Sequence, residues 1–356
     1  MKQVRKVLKT GGKVLLAIAL VLALLAAGFF VWLRSEPAEV TECDLGFRFF
    51  EHAYGVSCVP ENPENILVYS TAASQMMVAI GKPMAMQETA LDEWASADIP
   101  GLYDRLKEVN KDVLDLGRVG GTVASNAELL LNIQPDLIIS EWLVSEDLAR
   151  TASLVAPTVL LSDNRNWKEV TLTAGDVIGE KEQVDALVAA YEVRVQILRE
   201  QFDDPANISI ATVRLWPGNP FIMLEESFAG QIVRDVGFSA PESQSDLSES
   251  ETDGFLFRYN EERIDLIDAD FIILFPALGE TSLRESGSDS KTLAQEFQND
   301  PLFLFLEAAE SGNVFAVDAH WHITGIYSAH YVLDDLFRHV AGIDPEEVAP
   351  NPLRLQ

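Results

Sequence analysis

The chain has 356 residues, 48% of them hydrophobic and 9% aromatic, which excludes a disordered scaffold. Six of its 26 Lys and Arg fall in the first 34 residues, where there is no acid, so the remainder sets 20 basic against 56 acidic residues. A body that acidic does not hold a nucleic-acid backbone by counterion release and is repelled by anionic lipid. Residues 14–33 (VLLAIALVLALLAAGFFVWL) form an uncharged apolar run behind a basic stretch. At about 1.5 Å per residue such a run spans a bilayer core of about 30 Å. With the cations on its N-terminal side, the positive-inside rule keeps the N-terminus in the cytoplasm and exports the body. The predicted organisation therefore starts with a transmembrane anchor over 1–34. The competing reading is a signal peptide cut after the small residues Ala26 and Gly28, although the apolar run continues to Leu33. No Cys follows the run closely, which argues against a bacterial lipoprotein anchor.

Residues 35–44 read as a polar tether. Cys43 and Cys58, the two cysteines of the chain, follow. In an exported chain a disulfide is the default for a close pair, with two buried thiols as the alternative. His52, between them, reads as a surface residue. Apolar, β-rich runs then recur at 66–69, 136–140, 158–162, 208–216, 271–275 and 314–318. Stretches with helical spacing lie between several of them, at 126–132 and 146–155 for example. Continuous apolar runs alternating with helices predict an α/β fold with mostly parallel strands. Residues 181–202 contain neither Gly nor Pro, and Val184, Leu187, Val188, Tyr191, Val195 and Leu198 mark one apolar face. Asp203, Asp204 and Pro205 close that helix. Its position between two strand-rich halves makes it a strut within a linker region, 164–206. An N-terminal α/β lobe over 45–163 and a C-terminal one over 207–356 complete the division. The segments 239–253 and 279–291 are polar and Ser-rich, and read as loops.

Four phrases, in order, resemble the exported substrate-binding proteins of iron–siderophore ABC transporters. They are HAYG at 52–55 leading into VPENPENILVY at 59–69, then SNAELLLNIQPDLII at 125–139. VRLW at 213–216 with SFAG at 227–230 follows, and WHITG at 321–325 running to VLDDL at 332–336 closes the set. The resemblance implies two lobes, each with a small sheet flanked by helices, joined by one long helix, with ligand bound between them. It implies no enzyme and no intrinsic cofactor, a ligand that carries ferric iron, and partnership with a permease and its ATPase. A monomer is expected.

In open α/β sheets ligands bind beyond the carboxyl ends of the strands. The residues expected there are Ser70 and Thr71, Glu141 and Trp142, Arg214 and Trp216, then His320, Trp321, His322 and Tyr327. Arg118 in the Gly-rich loop is a further candidate. Aromatic walls suit a bulky, partly apolar ligand, and a guanidinium suits planar oxygen donors. The resemblance places the family's ligand-contacting Arg at Arg214; Trp142 and Trp321 also read as core plugs. With Arg214 the main cation in view and the field of the acidic body opposing an anion, charge favours a neutral or cationic ligand, most simply a ferric hydroxamate, over a trianionic catecholate complex. The resemblance further places permease-docking acids at Glu128 and, less directly, at Glu226 or Glu225, since Gln231 stands where some relatives carry an acid. Three alternatives accompany this reading. The His320, His322 and His330 cluster suits direct zinc or manganese binding, or a hydrolase using Asp318. Haem or cobalamin would use His322 or Tyr327 as an axial ligand. A membrane-tethered sensor ectodomain would use the same fold.

Overall fold

The computed structural model describes residues 42–52, 55–86, 98–110, 127–141, 151–161, 166–216, 220–247, 254–277 and 289–355. The expected apolar anchor at 14–33 lies outside them. No helix among the described residues is long and apolar enough to cross a membrane. Residues 43–356 form one compact unit.

The unit opens with an antiparallel hairpin, β1 (Phe47–His52) and β2 (Gly55–Pro60), in which Phe49 lies opposite Cys58. The Cys43–Cys58 disulfide is formed and ties the chain before β1 to β2. A parallel sheet follows, built from β3 (Ile66–Tyr69), β4 (Ala85–Met86), β5 (Leu137–Ser140) and β6 (Thr158–Leu160) in the order β4-β3-β5-β6. β5 and β6 are buried throughout, which explains why they read as unbroken apolar runs rather than alternating ones. A second, five-stranded sheet uses β7 (Ile210–Leu215), β8 (Phe221–Met223), β9 (Leu256–Arg258), β10 (Phe271–Pro276) and β11 (Val314–Ala316). Its order is β11-β10-β7-β8-β9, parallel from β11 to β7 and antiparallel from β7 to β9.

Helix α1 (Thr71–Ile80) follows β3 directly. The Ser70 hydroxyl caps it by accepting from the Ala73 amide, and Gly81 ends it in the left-handed region at φ 74°. Short α2 (Leu102–Val109) and α3 (Ala127–Ile133) complete the described helices of the first half. The expected linker is itself structured. Asn166 caps α4 (Trp167–Val177) through the amides of Lys168 and Glu169. The long helix α5 spans Lys181–Arg199, shorter than the expected 181–202. Residues 200–202 turn away because Asp204 and Pro205 build a cap and a 3-10 turn of their own. Gly175 lets α4 and α5 approach closely, since a Cβ there would sit 2.6 Å from that of Val184. Trp167, fully buried, meets the Tyr191 ring edge-on at 4.9 Å.

In the second half, α6 (Phe228–Val236), α7 (Ser290–Gln298) and α8 (Glu307–Ser311) flank the sheet. Helix α9 (Ile326–His339) crosses back towards the first half, and α10 (Pro345–Val348) follows it. One hydrophobic core runs through both halves, joining Val68 and Met76 to Tyr191, Ile273 and Val332. Gln75 of α1, fully buried, donates to the Ser328 hydroxyl at 2.9 Å and accepts from the Ser328 amide at 3.1 Å. The halves are further joined by a buried ionic cluster. Arg194 of α5 donates to Asp334 of α9, to the His330 carbonyl at 2.9 Å and to the Ala349 carbonyl at 2.9 Å. Arg354 reaches the same Asp334 at 2.7 Å. Leu355 then packs on Gly101, just before α2; a Cβ at Gly101 would sit 2.9 Å from that of Leu355.

Candidate functional site

The strand ends of the second sheet carry the described part of the site. β7 is buried along its length except at Arg214, which is partly buried. A guanidinium in an otherwise apolar strand needs a partner. Arg214 makes no ion pair among the described residues, and its buried Nε finds no hydrogen-bond acceptor. Burial alone lowers its pKa from the usual value. Its charge is instead held over the Phe221 ring, 4.9 Å from the centroid. Phe221 is the cross-strand partner of Arg214, and Arg258 is the partner of Phe221 on the other side. Arg258 also approaches that ring, at 6.0 Å.

Trp216, 44% exposed, follows directly and helps line a cavity of about 770 Å³ with Arg258, Tyr259 and Phe297. His322 completes the Arg214 neighbourhood. Burial, and then the Arg214 charge, push its pKa down to about 4, so a neutral imidazole faces the guanidinium. Structure therefore brings Arg214, Trp216 and His322 into one region.

The strand ends of the first sheet contribute a different pair. The Ser70 hydroxyl donates to the Glu141 carboxylate at 2.7 Å. Burial raises the Glu141 pKa against the opposing pull of that hydrogen bond. Tyr327, at the start of α9, is almost fully buried. Burial pushes its hydroxyl pKa up, while Arg105 of α2, hydrogen-bonded to it, pulls the other way. Helix α1, which follows β3, meets the start of α9 at Gln75 and Ser328. There Gly325 is required, because a Cβ would fall 2.5 Å from the Gln75 side chain.

Several expected site residues stand elsewhere. Trp321 is a core plug, 1% exposed, its indole N–H donated to Asp335 and its ring stacked on Phe275. It leaves no surface for a ligand. The three histidines do not form a metal cluster. Residues 319–321 form a 3-10 turn rather than an extended strand end, so His320 and His322 do not share a side. His320 donates to Asp335 at 2.8 Å, and His330 accepts from Arg194 at 3.0 Å through Nδ1. Among the described residues no group of three His, Cys, Asp or Glu could hold a metal ion. Gln231 is buried, donating to the Glu226 carbonyl, so it presents nothing to a partner. Glu226 is exposed and pairs with Arg234 at 3.2 Å. Trp142, Arg118 and the side chain of Glu128 lie outside the described residues.

Sequence reasoning passed over Phe221, Arg258, Arg105 and Gln75. The strand alternation of the short β9 carried a signal for Arg258, but a three-residue strand behind a Ser-rich loop has too little periodicity to fix a register. Nothing local marks Gln75, whose role depends on α9, far along the chain.

Two α/β sheets over a shared core carry at their strand ends a cation with no ion pair among the described residues, together with aromatic groups, an arrangement suited to holding a ligand. The profile of the periplasmic binding protein family matches residues 87–320, and the chain belongs to that family. Among curated relatives, a probable siderophore-binding lipoprotein of Bacillus subtilis, YfiY, is 29% identical over 81% of this chain and 86% of its own. The achromobactin-binding periplasmic protein of Dickeya dadantii is 25% identical over 79% and 87% respectively. Among solved structures, Staphylococcus aureus SirA complexed with staphyloferrin B superposes with a TM-score of 0.67 at 20% identity, covering 82% of this chain and 98% of that one. The family read from the four sequence phrases is borne out.

Proposed function

We propose that this protein captures a ferric siderophore outside the cytoplasmic membrane and delivers it to an ABC permease. The observation that carries the reading is Arg214. Its half-buried charge, with an unsatisfied Nε beside an exposed Trp216, has its complement in a ligand oxygen rather than in the fold. A probable siderophore-binding lipoprotein among the Bacillus subtilis relatives, and an achromobactin-binding protein of Dickeya dadantii, support the ligand class. Arg214, Trp216 and His322 contact the ligand in this reading, with Trp142 and Arg118 added from outside the described residues; Ser70 and Tyr327, nearly as buried as Trp321, offer it no open surface. The lobes are 45–163 and 207–356, bridged by α5. The hydroxamate preference expected from sequence counts one prominent cation, and Arg258 is a second.

Residues 14–33 anchor the body, as a monomer, on the extracytoplasmic side, and Glu128 and Glu226 dock on the permease. Charge reversal at either acid should leave ligand affinity intact and lower uptake of iron into cells; unchanged uptake would remove the docking role. The capture reading is tested by tryptophan-fluorescence titration with ferric hydroxamates, ferric catecholates, ferric citrate, haem, cobalamin and free metal ions. An iron complex should quench strongly, because Trp216 stands at the site. Silence across the panel refutes capture, and stoichiometric zinc in the purified protein would favour direct metal binding instead.

A further inference from the structure

Arg214, Phe221 and Arg258 stand in direct cross-strand register on β7, β8 and β9. Cross-strand partners project to one face of a sheet, so the three side chains form a ladder with a phenyl ring between two guanidiniums. Both cations lie within 6.0 Å of that ring. Two strand spacings of about 4.8 Å put the charges about 10 Å apart. Among the described residues neither guanidinium has an acid partner, although acids outnumber bases throughout this chain. An unneutralised pair of like charges in so acidic a protein marks a place where an anion belongs.

We propose that this ladder is an anion clamp, and that it selects ferric complexes bearing free carboxylates, with Arg258 as a specificity-determining residue. The inference rests on the capture reading above. A guanidinium presents a planar fork that matches a carboxylate in a bidentate way, and the Phe221 face between the two forks accepts the apolar backbone of the ligand. Arg258 also lines a cavity with Leu215, Trp216 and Tyr259, which neither Arg214 nor Phe221 lines. Glu262, Glu296 and Asp300 line the same cavity. They repel carboxylates from that cavity, so a carboxylate is favoured on the ladder itself, over the Phe221 ring between the two guanidiniums. A neutral trishydroxamate complex offers the clamp no charge. A catecholate complex has its oxygens engaged on iron and offers no free carboxylate fork.

The test is a fluorescence titration of the full-length chain with ferric dicitrate, ferrichrome and a ferric triscatecholate, at two salt concentrations, on wild type, Arg258→Gln and Arg258→Lys. Wild type should bind ferric dicitrate tightest, with affinity falling as salt rises. Arg258→Gln should weaken ferric dicitrate about threefold to tenfold, a loss expected of one exposed charge-assisted contact, and leave ferrichrome within twofold. Arg258→Lys should fall between, because it keeps the charge and loses the fork. Tight, salt-insensitive ferrichrome binding that Arg258→Gln does not alter overturns the clamp and leaves siderophore capture standing. Preference for the triscatecholate overturns the carboxylate assignment in the same way. Failure of every iron complex to bind wild type overturns both readings together.

Discussion

Asp334 is the most consequential single side chain in the packing of the protein. It is 1% exposed and accepts from Arg194, itself 4% exposed, and from Arg354 at 2.7 Å, with Asn351 at 3.4 Å. Arg194 belongs to α5, Asp334 to α9, and Arg354 to the segment that runs back to the first half, so one carboxylate joins three parts of the chain. Asp334→Asn keeps the shape and one acceptor but strands the Arg194 charge in the core. Breaking a buried pair from one side costs about 3–5 kcal/mol; the retained acceptor puts the expected loss near the lower end, about 3 kcal/mol. In a domain of this size that corresponds to a fall in melting temperature of roughly 6 °C. The assay is urea unfolding followed by far-ultraviolet circular dichroism, with calorimetry for the melting temperature. The double variant Arg194→Met/Asp334→Leu, which removes both charges, should be more stable than Asp334→Asn alone. A loss below about 1 kcal/mol in the single variant, or a double variant that is worse than it, refutes the account.

Three further outcomes follow from the same structure. Partly buried His322 and fully buried His330 are neutral, with pKa values pushed to about 4 and about 3, chiefly by desolvation and then by Arg214 and Arg194. The unfolded chain takes up these protons near pH 6.5 and the folded one does not, so stability should be fully present above pH 6.5 and fall as pH drops towards 4 and then 3. At about 1.4 kcal/mol per pH unit the loss on the His322 account alone reaches roughly 3 kcal/mol, and denaturant midpoints across pH 3–8 in wild type and His322→Asn would measure it; identical slopes would count against it. Gly325→Ala should destabilise by about 1–3 kcal/mol, since φ is +153° and the new methyl would meet Gln75 at 2.5 Å; thermal melts of the variant check this. Replacing Cys43 and Cys58 by Ser should cost roughly 3 kcal/mol in the chain-entropy account, read as a lower urea midpoint that matches wild type under reducing conditions.

The parallel strands were legible because burial on both faces writes itself as an unbroken apolar run: DLIIS and FIILF needed no tertiary information. The long helix was legible from its apolar face, and its overestimated end came from reading 200–202 as helix when Asp204 and Pro205 had already claimed those residues for a turn. Arg214 stood out for the physical reason that makes it interesting, a charge inside an apolar strand. Trp321 shows the opposite case. Sequence places it at a strand end, but whether an indole faces ligand or core depends on Asp335, which reaches it only once α9 has packed. The histidines misled in the same manner. Their spacing in sequence suggested a shared side, whereas a 3-10 turn sends His320 to Asp335, and the helix register sends His330 to Arg194. Arg258 was hidden because its meaning lies across two strands, in register with residues that precede it by a long loop.

The packing of Leu355 on Gly101 fixes an order of events. Synthesis delivers residue 101 long before residue 355, so Gly101 lacks this partner while the second sheet is still being made. Arg194 likewise waits for Asp334, holding an unneutralised charge on α5 until α9 arrives. The packing of the first half is therefore complete only when the C-terminal residues are in place.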